Sequence, residues 1–338
     1  MPNTIHQFKF TVILLHNIDP AWTPTEQGHA WKDVIYLETA MRKYGHRVIS
    51  VPVYDGDLST VLASFNPRNH IVFNLCEEIP GEPHSEARVA RMMESLRFVY
   101  TGSPPGALAL GWDKSRVRSR LAARKIPIPR GMRVASPDRA VWRHFPAIVK
   151  LACEHGSAGI TSDSVVLNER ELRTQLVKMW ARFHQPFLIE EFIDGREYHV
   201  SLWGNGHVEL LPPVELDFSV FKHSHEKIYT YDAKFRLASD DCRKIEEKIA
   251  TLPAPAYRKL ARICRATYRA IGCRDYARID VRQRAGIFYV LDVNTNPEIA
   301  PNSSLAYAAA QVGYSYGGMG SRLVALAARR HSSRRRTT

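Results

Sequence analysis

Along the first hundred residues, continuous apolar runs alternate with stretches of helical periodicity. The runs "FKFTVILL" (8–15), "HRVISVPVY" (46–54) and "HIVFNLC" (70–76) are apolar at successive rather than alternate positions, the pattern of strands covered on both faces. A helical stretch up to Gly45 separates the first two, and "EARVARMMESL" (86–96) places Val89, Met93 and Leu96 on one helical face. "RFVYTGSPP" then reads as a short strand ending in turn residues. This order predicts an α/β domain built on a parallel sheet.

"GALALGWDKSRVRSRLAARK" predicts a single helix of about twenty residues, stopped by the prolines of "IPIPRG". A second unit then reads as strand "PAIVKL", loop "ACEHGSAGI", strand "TSDSVVL", helix "NERELRTQLVKMWARFH" and strand "PFLIEEFI", with Asn168 and Glu171 spaced as a capping box. In "EYHVSLWGNGHVELL", Gly204-Asn205-Gly206 interrupts two β-rich runs and predicts a hairpin. Residues 215–252 read as charged and irregular. A helix over 254–271 carries Leu260, Ile263, Cys264, Thr267 and Ile271 on one face and stops at Gly272. A small-residue helix begins near 304, and no internal repeat is found.

Between those two helices, "YARIDVRQ" and "IFYVLDVN" flank "RAG" and predict an antiparallel hairpin turning near Gly286. In a register centred there, Asp280 faces Asp292 and Arg278 faces Asn294, and the period of two puts all four on one face. Directly opposed carboxylates repel unless a cation lies between them. Two carboxylates and an amide oxygen are hard ligands suited to Mg²⁺, which bridges to phosphates. The same pattern fits a solvated hairpin in which Arg278 merely neutralises the two acids.

Three other segments carry matching chemistry. Lys150 ends the apolar run "FPAIVK", where a buried lysine requires an anionic partner. The loop that follows, with Gly156, Ser157, Ala158 and Gly159, lets backbone N–H groups approach a phosphate, although it also fits a plain glycine-rich turn. In "PFLIEEFIDGREY", the backbone from Glu190 through Glu191 and Phe192 to Ile193 suits an adenine edge and Glu197 suits ribose hydroxyls, or these acids are surface residues at a strand end. Lys114 lies on a basic helix and is the weakest of these signals.

Composition narrows the class. With 338 residues, 45% of them hydrophobic, the chain buries a large core. The first apolar run is too short for a membrane span and lacks a cleavage site, so it reads as a strand. Five cysteines, Cys76, Cys153, Cys242, Cys264 and Cys273, form no CxxC pair, which argues against a disulfide framework and favours the cytoplasm. The formal charge of +13 includes Arg329, Arg330, Arg334, Arg335 and Arg336; without those five the body carries +8, which suits anionic small molecules. No aromatic-basic module accompanies the charge, so nucleic acid is not expected as a partner.

Taken in order, "YTGSPPGALALGWDKSRVRSRL", "FPAIVKLACEHGSAGI", "FLIEEFIDGREYHVSL", "YDAKF", "YARIDV", "FYVLDVNTNP" and "AAAQVGYSY" resemble the ATP-grasp superfamily and, within it, the D-alanine–D-alanine ligase branch. The resemblance runs from about Asn74 to Gly313. It implies a Rossmann-like parallel-sheet domain over 1–103, a central ATP-grasp subdomain over 104–195, a C-terminal antiparallel-sheet subdomain over 196–328, and a disordered basic tail over 329–338. It further implies that Lys114 and Lys150 bind ATP phosphates, that the loop around Ser157 closes over them, and that Lys234 lies nearby on a mobile loop. Glu190 to Ile193 would hold adenine and Glu197 ribose. Asp280, Asp292 and Asn294 take the Mg²⁺ positions, and Arg278 matches an arginine at the reacting acyl centre. Such proteins join a carboxylate to an amine through an acyl phosphate at the cost of ATP, and dimers occur among them.

The chain departs from that pattern where amino acids would bind. An N-terminal glutamate and a histidine of the family have no counterpart in "HNIDPAWTPTEQGHAW" and "NLCEEIPGEPHSE", a loop serine is Gly156, and a tyrosine is Phe235. Glu298 replaces a glycine beside the acyl centre, and Ser303 and Ser304 align with the segment that holds the second substrate. ATP chemistry retained with substrate recognition rewritten predicts a ligase for other amino-acid-like substrates. A true D-Ala–D-Ala ligase, or a non-catalytic nucleotide- or RNA-binding protein, are the alternatives.

Overall fold

A computed structural model describes residues 9–154, 159–229 and 245–331. The apolar runs near the N-terminus form β1 (Thr11–Asn17), β2 (Val48–Val53), β3 (His70–Leu75) and β4 (Val99–Tyr100), ordered β2-β1-β3-β4 with every neighbouring pair parallel. Alternation along β1 explains why both kinds of position are apolar. Val12 and Leu14 face α1 (Pro24–Lys43) through Val34, Leu37 and Met41, whereas Ile13 and Leu15 belong to the opposite core with Val89 and Met93 of α3 (Glu86–Ser95). Helix α1 begins at a capping box between Thr23 and Glu26, and the short α2 (Leu58–Leu62) begins at Asp57.

The long helix expected next is two helices, α4 (Pro105–Trp112) and α5 (Lys114–Ala122). Asp113 between them is extended, and its carboxylate accepts from the N–H groups of Ser115 and Arg116, so it caps a new helix instead of continuing the old one. That break sets Lys114 at the first turn of α5, its backbone N–H bonded to the Ala152 carbonyl.

The second unit is an antiparallel sheet ordered β5-β8-β6-β7, from β5 (Gly131–Val134), β6 (Ala147–Leu151), β7 (Val165–Val166) and β8 (Phe187–Glu191). Helix α6 (Glu169–Phe183) covers it with Leu172, Leu176 and Met179. Asn168 caps α6 by accepting from the Glu171 N–H, as its spacing suggests, and Glu171 reaches back to the Leu167 N–H. Strand β5 has no apolar run to mark it in the sequence, and only the end of "TSDSVVL" is strand; Ser162–Ser164 form a 3-10 turn.

The third unit is a larger antiparallel sheet, ordered β12-β11-β9-β13-β14, made from β9 (Arg196–Trp203), β11 (Val214–Asp217), β12 (Glu246–Ile249), β13 (Tyr276–Arg284) and β14 (Ile287–Asn294), with β10 (Glu209–Leu210) also paired to β9. The β9–β10 hairpin turns at Gly204–Gly206 as expected. Strands β11 and β12 fall in the stretch that reads as irregular: each is four residues long and rich in charge, which hides the alternation. Helix α7 (Ala254–Ile271) packs Leu260, Ile263, Cys264 and Ile271 against Val200, Ile279, Val281 and Val293 on the back of this sheet, and ends at Gly272 with a positive φ of 84°. Helix α8 (Ser304–Gln311) follows, and α9 (Tyr316–Ala328) returns to the parallel sheet, where Met319, Leu323 and Leu326 complete its core.

Buried Asp275 ties the units together. It accepts from the Gly102 N–H at 2.9 Å, from Asn205 Nδ2 at 2.7 Å, and from both terminal nitrogens of Arg330 at 2.5 and 2.9 Å.

Candidate active site

The β13–β14 hairpin decides the centre of the site. Its turn is the two residues Ala285 and Gly286, both with positive φ (48° and 73°), as the tightest hairpin turns require. That turn alone would leave Asp280 opposite Leu291. A β-bulge shifts the register between Asp280 and Val281, Leu291 becomes the extra residue, and beyond it Asp280 pairs with Asp292 and Arg278 with Asn294. The four polar residues therefore share one face, with the expected pairing reached by a different route. The same face continues across β9, where His199 pairs with Asp280 and Glu197 with Arg282.

Asp280 and Asp292 are each paired with a cation. Arg278 grips Asp280 in two-pronged fashion, Nε to Oδ1 at 2.7 Å and Nη2 to Oδ2 at 3.0 Å, while Asn294 Nδ2 donates to Asp280 Oδ2 at 3.1 Å. Lys114 Nζ reaches Asp292 Oδ2 at 2.7 Å from α5. Burial works against the Asp292 charge, but Lys114 outweighs it and holds the carboxyl below its usual range. Burial likewise opposes the Arg278 charge, and Asp280 overcomes it, so Arg278 stays protonated at any working pH.

The central sheet faces this array across a cleft lined by Lys150, Ile148, Glu190, Phe192, Ile193, Glu197, Asp280 and Asp292. Lys150 is only 9% exposed and pairs with Glu190 Oε2 at 2.8 Å, and Arg118 of α5 binds the same carboxylate. Glu197 pairs with Arg282 at 2.7 Å, and Arg282 also donates to the Ile193 carbonyl at 3.0 Å and lies over the Phe192 ring. Glu191 pairs with Arg284 at 2.6 Å. Nothing in the sequence marks Arg118 or Arg282; burial against Glu190 and Glu197 is what distinguishes them.

On the far side of Arg278, Ser303 caps α8 by accepting from the Ala306 N–H at 3.2 Å. Ser304 donates to both oxygens of Glu247 on β12, at 3.1 and 3.0 Å, and lies 2.8 Å from His199 Nδ1. The hydroxyl has one proton, given to Glu247, so His199 supplies the Nδ1–H to the serine oxygen. Toward the parallel sheet, Glu86 is pushed up to about 8 by burial and then by Glu77, against an Asn296 hydrogen bond that lowers it. Glu77 opens onto solvent, yet the surrounding protein and then Glu298 and Glu78 push it up to about 7. Glu298 itself is exposed.

Lys234, Phe235, Gly156, Ser157 and Cys242 lie outside the described residues. Among the described residues, no three or more His, Cys, Asp or Glu side chains group as a metal site, and no helix is long and apolar enough to cross a membrane. Cys76, Cys153, Cys264 and Cys273 are free thiols.

A parallel-sheet unit followed by two antiparallel sheets facing each other over lysines and carboxylates is the ATP-grasp architecture. A crystal structure of a D-alanine–D-alanine ligase from Bacillus anthracis complexed with ATP matches it with a TM-score of 0.73, at 18% identity, over 96% of this chain and 99% of that one. The family model described as D-ala D-ala ligase C-terminus matches residues 135–325, and the chain belongs to that family. An uncharacterised protein, y4sG, from Sinorhizobium fredii is 34% identical over 91% of this chain and 90% of its own length. A D-alanine–D-alanine ligase from Chromohalobacter salexigens is 33% identical over 70% of this chain and 71% of its own length.

Proposed function

We propose that this protein is an ATP- and Mg²⁺-dependent ligase that joins a carboxylate to an amine through an acyl phosphate, on substrates other than two D-alanines. The observation that carries the reading is the single polar face of β13 and β14 with Arg278, Asp280, Asp292 and Asn294, where Lys114 pairs with Asp292 and Lys150 lines the same cleft as Asp280 and Asp292. Two carboxylates and an amide oxygen fit Mg²⁺, which supplies neutralisation of phosphate oxygens when bound. Asp280, Asp292 and Asn294 would hold it.

The chain's own groups do the rest. Lys114 and Lys150 exchange their carboxylate partners for the phosphates of ATP, the backbone from Glu190 to Ile193 takes the adenine, and Glu197 takes the ribose. Ser157 and Lys234 complete the phosphate side of this reading. The substrate carboxylate oxygen attacks the γ-phosphorus and ADP leaves; the amine then attacks the acyl carbon and phosphate leaves. In this reading Arg278 shares Asp280 with the metal and stabilises the oxyanion that forms in the second step. In this reading residues 1–103 supply one wall of the substrate site, 104–195 the nucleotide clamp and 196–328 the catalytic face.

The test is Mg²⁺-dependent ADP release over a panel of carboxylic acids, with hydroxylamine present to trap any acyl phosphate as a hydroxamate. Hydroxamate is expected with at least one acid other than D-alanine. Its absence with every acid would overturn the ligase reading, and D-Ala–D-Ala formed from D-alanine alone would overturn the substrate part.

A further inference from the structure

Resting on that reading, we propose that Glu247 is a specificity residue that closes the amine subsite to compounds bearing a carboxylate and selects a cationic amine without one, such as a diamine or an amino-acid amide.

The sheet order fixes where Glu247 lies. It pairs with Leu216, which pairs with Glu197, which pairs with Arg282, so its side chain emerges on the catalytic face, on the edge strand β12. Lys114 reaches the opposite edge, at Asp292 of β14, and Arg278 stands between. Glu247 therefore lies beyond Arg278 as seen from Lys114, at the edge of the catalytic face opposite Asp292, and in this proposal the amine enters from that side.

Among the described residues that side has two natural seats for a carboxylate, and the protein fills both with its own. One is the Arg278 guanidinium, engaged by both oxygens of Asp280. The other is the start of α8, where a serine hydroxyl and the helix N-terminus favour an anion. There the Ser304 hydroxyl is spent on the two oxygens of Glu247, and His199 locks its orientation from behind. A substrate carboxylate would have to displace a tethered one and then sit beside it.

The surrounding charge has the same sign. Burial acts first on Glu247 and disfavours its charge, the Ser304 hydroxyl and then Arg278 support that charge, and Asp280 and Glu298 repel it; Glu298 in turn acts on Glu77 at the parallel-sheet wall. Among the described residues, carboxylates from β12, from the segment after β14 and from the segment after β3 thus act on one another here, and Arg278 is paired with Asp280. A second anion is disfavoured there and a cation is favoured.

The experiment is calorimetric titration of the full chain with alanine, alaninamide (each hand separately) and 1,3-diaminopropane. Alanine and alaninamide differ by one carboxylate charge. Alaninamide or the diamine is expected to bind at least about tenfold more tightly than alanine, and Glu247→Gln to bring that ratio within about threefold. Ser304→Ala, which leaves the charge but removes its tether, should lower the ratio as well and keeps the test open where the first variant does not fold. Alanine bound as tightly as alaninamide, no binding of any amine, or an unchanged ratio in both folded variants would each overturn the inference. Titration consumes no ATP, and hydroxamate trapping needs no amine substrate, so the specificity and the ligase chemistry fail or stand separately.

Discussion

Lys114 Nζ stands 2.7 Å from Asp292 Oδ2 although 178 residues separate them in the chain. The pair joins the first turn of α5 to the end of β14 and brings one candidate phosphate ligand against one candidate metal ligand. Asp292→Asn removes the charge and keeps the shape. Turnover is expected to fall at least about 100-fold, while the charge-assisted bond lost from Lys114 costs about 1–3 kcal/mol of stability. Steady-state ADP release beside urea denaturation checks both, and normal turnover would remove Asp292 from the metal role.

Arg282 and Glu197 are both buried, with Arg282 only 3% exposed. Removing one partner alone strands a charge, so Arg282→Met should cost about 3–5 kcal/mol. The double variant Arg282→Met/Glu197→Leu should recover most of that loss, because an apolar pair of similar volume avoids the desolvation penalty. Equilibrium unfolding of both variants decides it; equal losses in the two would contradict the assignment of the cost to an uncompensated charge.

Helix α9 approaches α1 so closely that a Cβ on Gly317 would lie 2.2 Å from the Ala40 carbonyl oxygen. Gly317→Ala is expected to push the helices apart at a cost of about 1–3 kcal/mol. Gly106→Ala is the control: it lies in α4 with no neighbouring atom within 4 Å of the added carbon, and should be neutral or slightly stabilising. Thermal melts of the two variants separate close packing from helix propensity.

Glu86 titrates near 8 in the folded protein, raised first by burial from an ordinary value of 4.5, so its neutral form is the favoured one. Its contribution to stability is complete at low pH and is lost as pH rises from about 4.5 through 8. Buried His16 and His46 are both lowered to about 4 from 6.5, again by burial. Their contribution is complete above pH 6.5 and is lost as pH falls toward 4. Melting temperature should therefore decline on both sides of a mildly acidic optimum. Glu86→Gln should flatten the alkaline limb in part, with Glu77 supplying the rest, and leave the acid limb in place; an unchanged alkaline limb would count against Glu86 as a source.

The pairing at the centre of the candidate site is legible in the sequence. The opposed pairs Asp280/Asp292 and Arg278/Asn294 follow from period-two alternation around a glycine turn, which is a local rule. The route differed, since a two-residue turn and a bulge at Leu291 together give the register that a turn centred on Gly286 would have given. Glu247 was not readable, because β12 is four residues long, is rich in charge and becomes a strand only by pairing with β11.

What the sequence determined by itself is local: the apolar runs of the parallel sheet, the caps at Asn168 and Gly272, and the polar face of the β13–β14 hairpin. Each depends on neighbours a few positions away, where backbone periodicity and turn geometry leave little choice. Only the tertiary structure decided which charges meet: Lys114 with Asp292, Arg118 with Glu190, Arg282 with Glu197, and Ser304 with Glu247. Those partners lie between 57 and 178 residues apart. Their meeting is set by sheet order and by the burial that makes an unpaired charge costly, and neither is written in any short stretch of the chain.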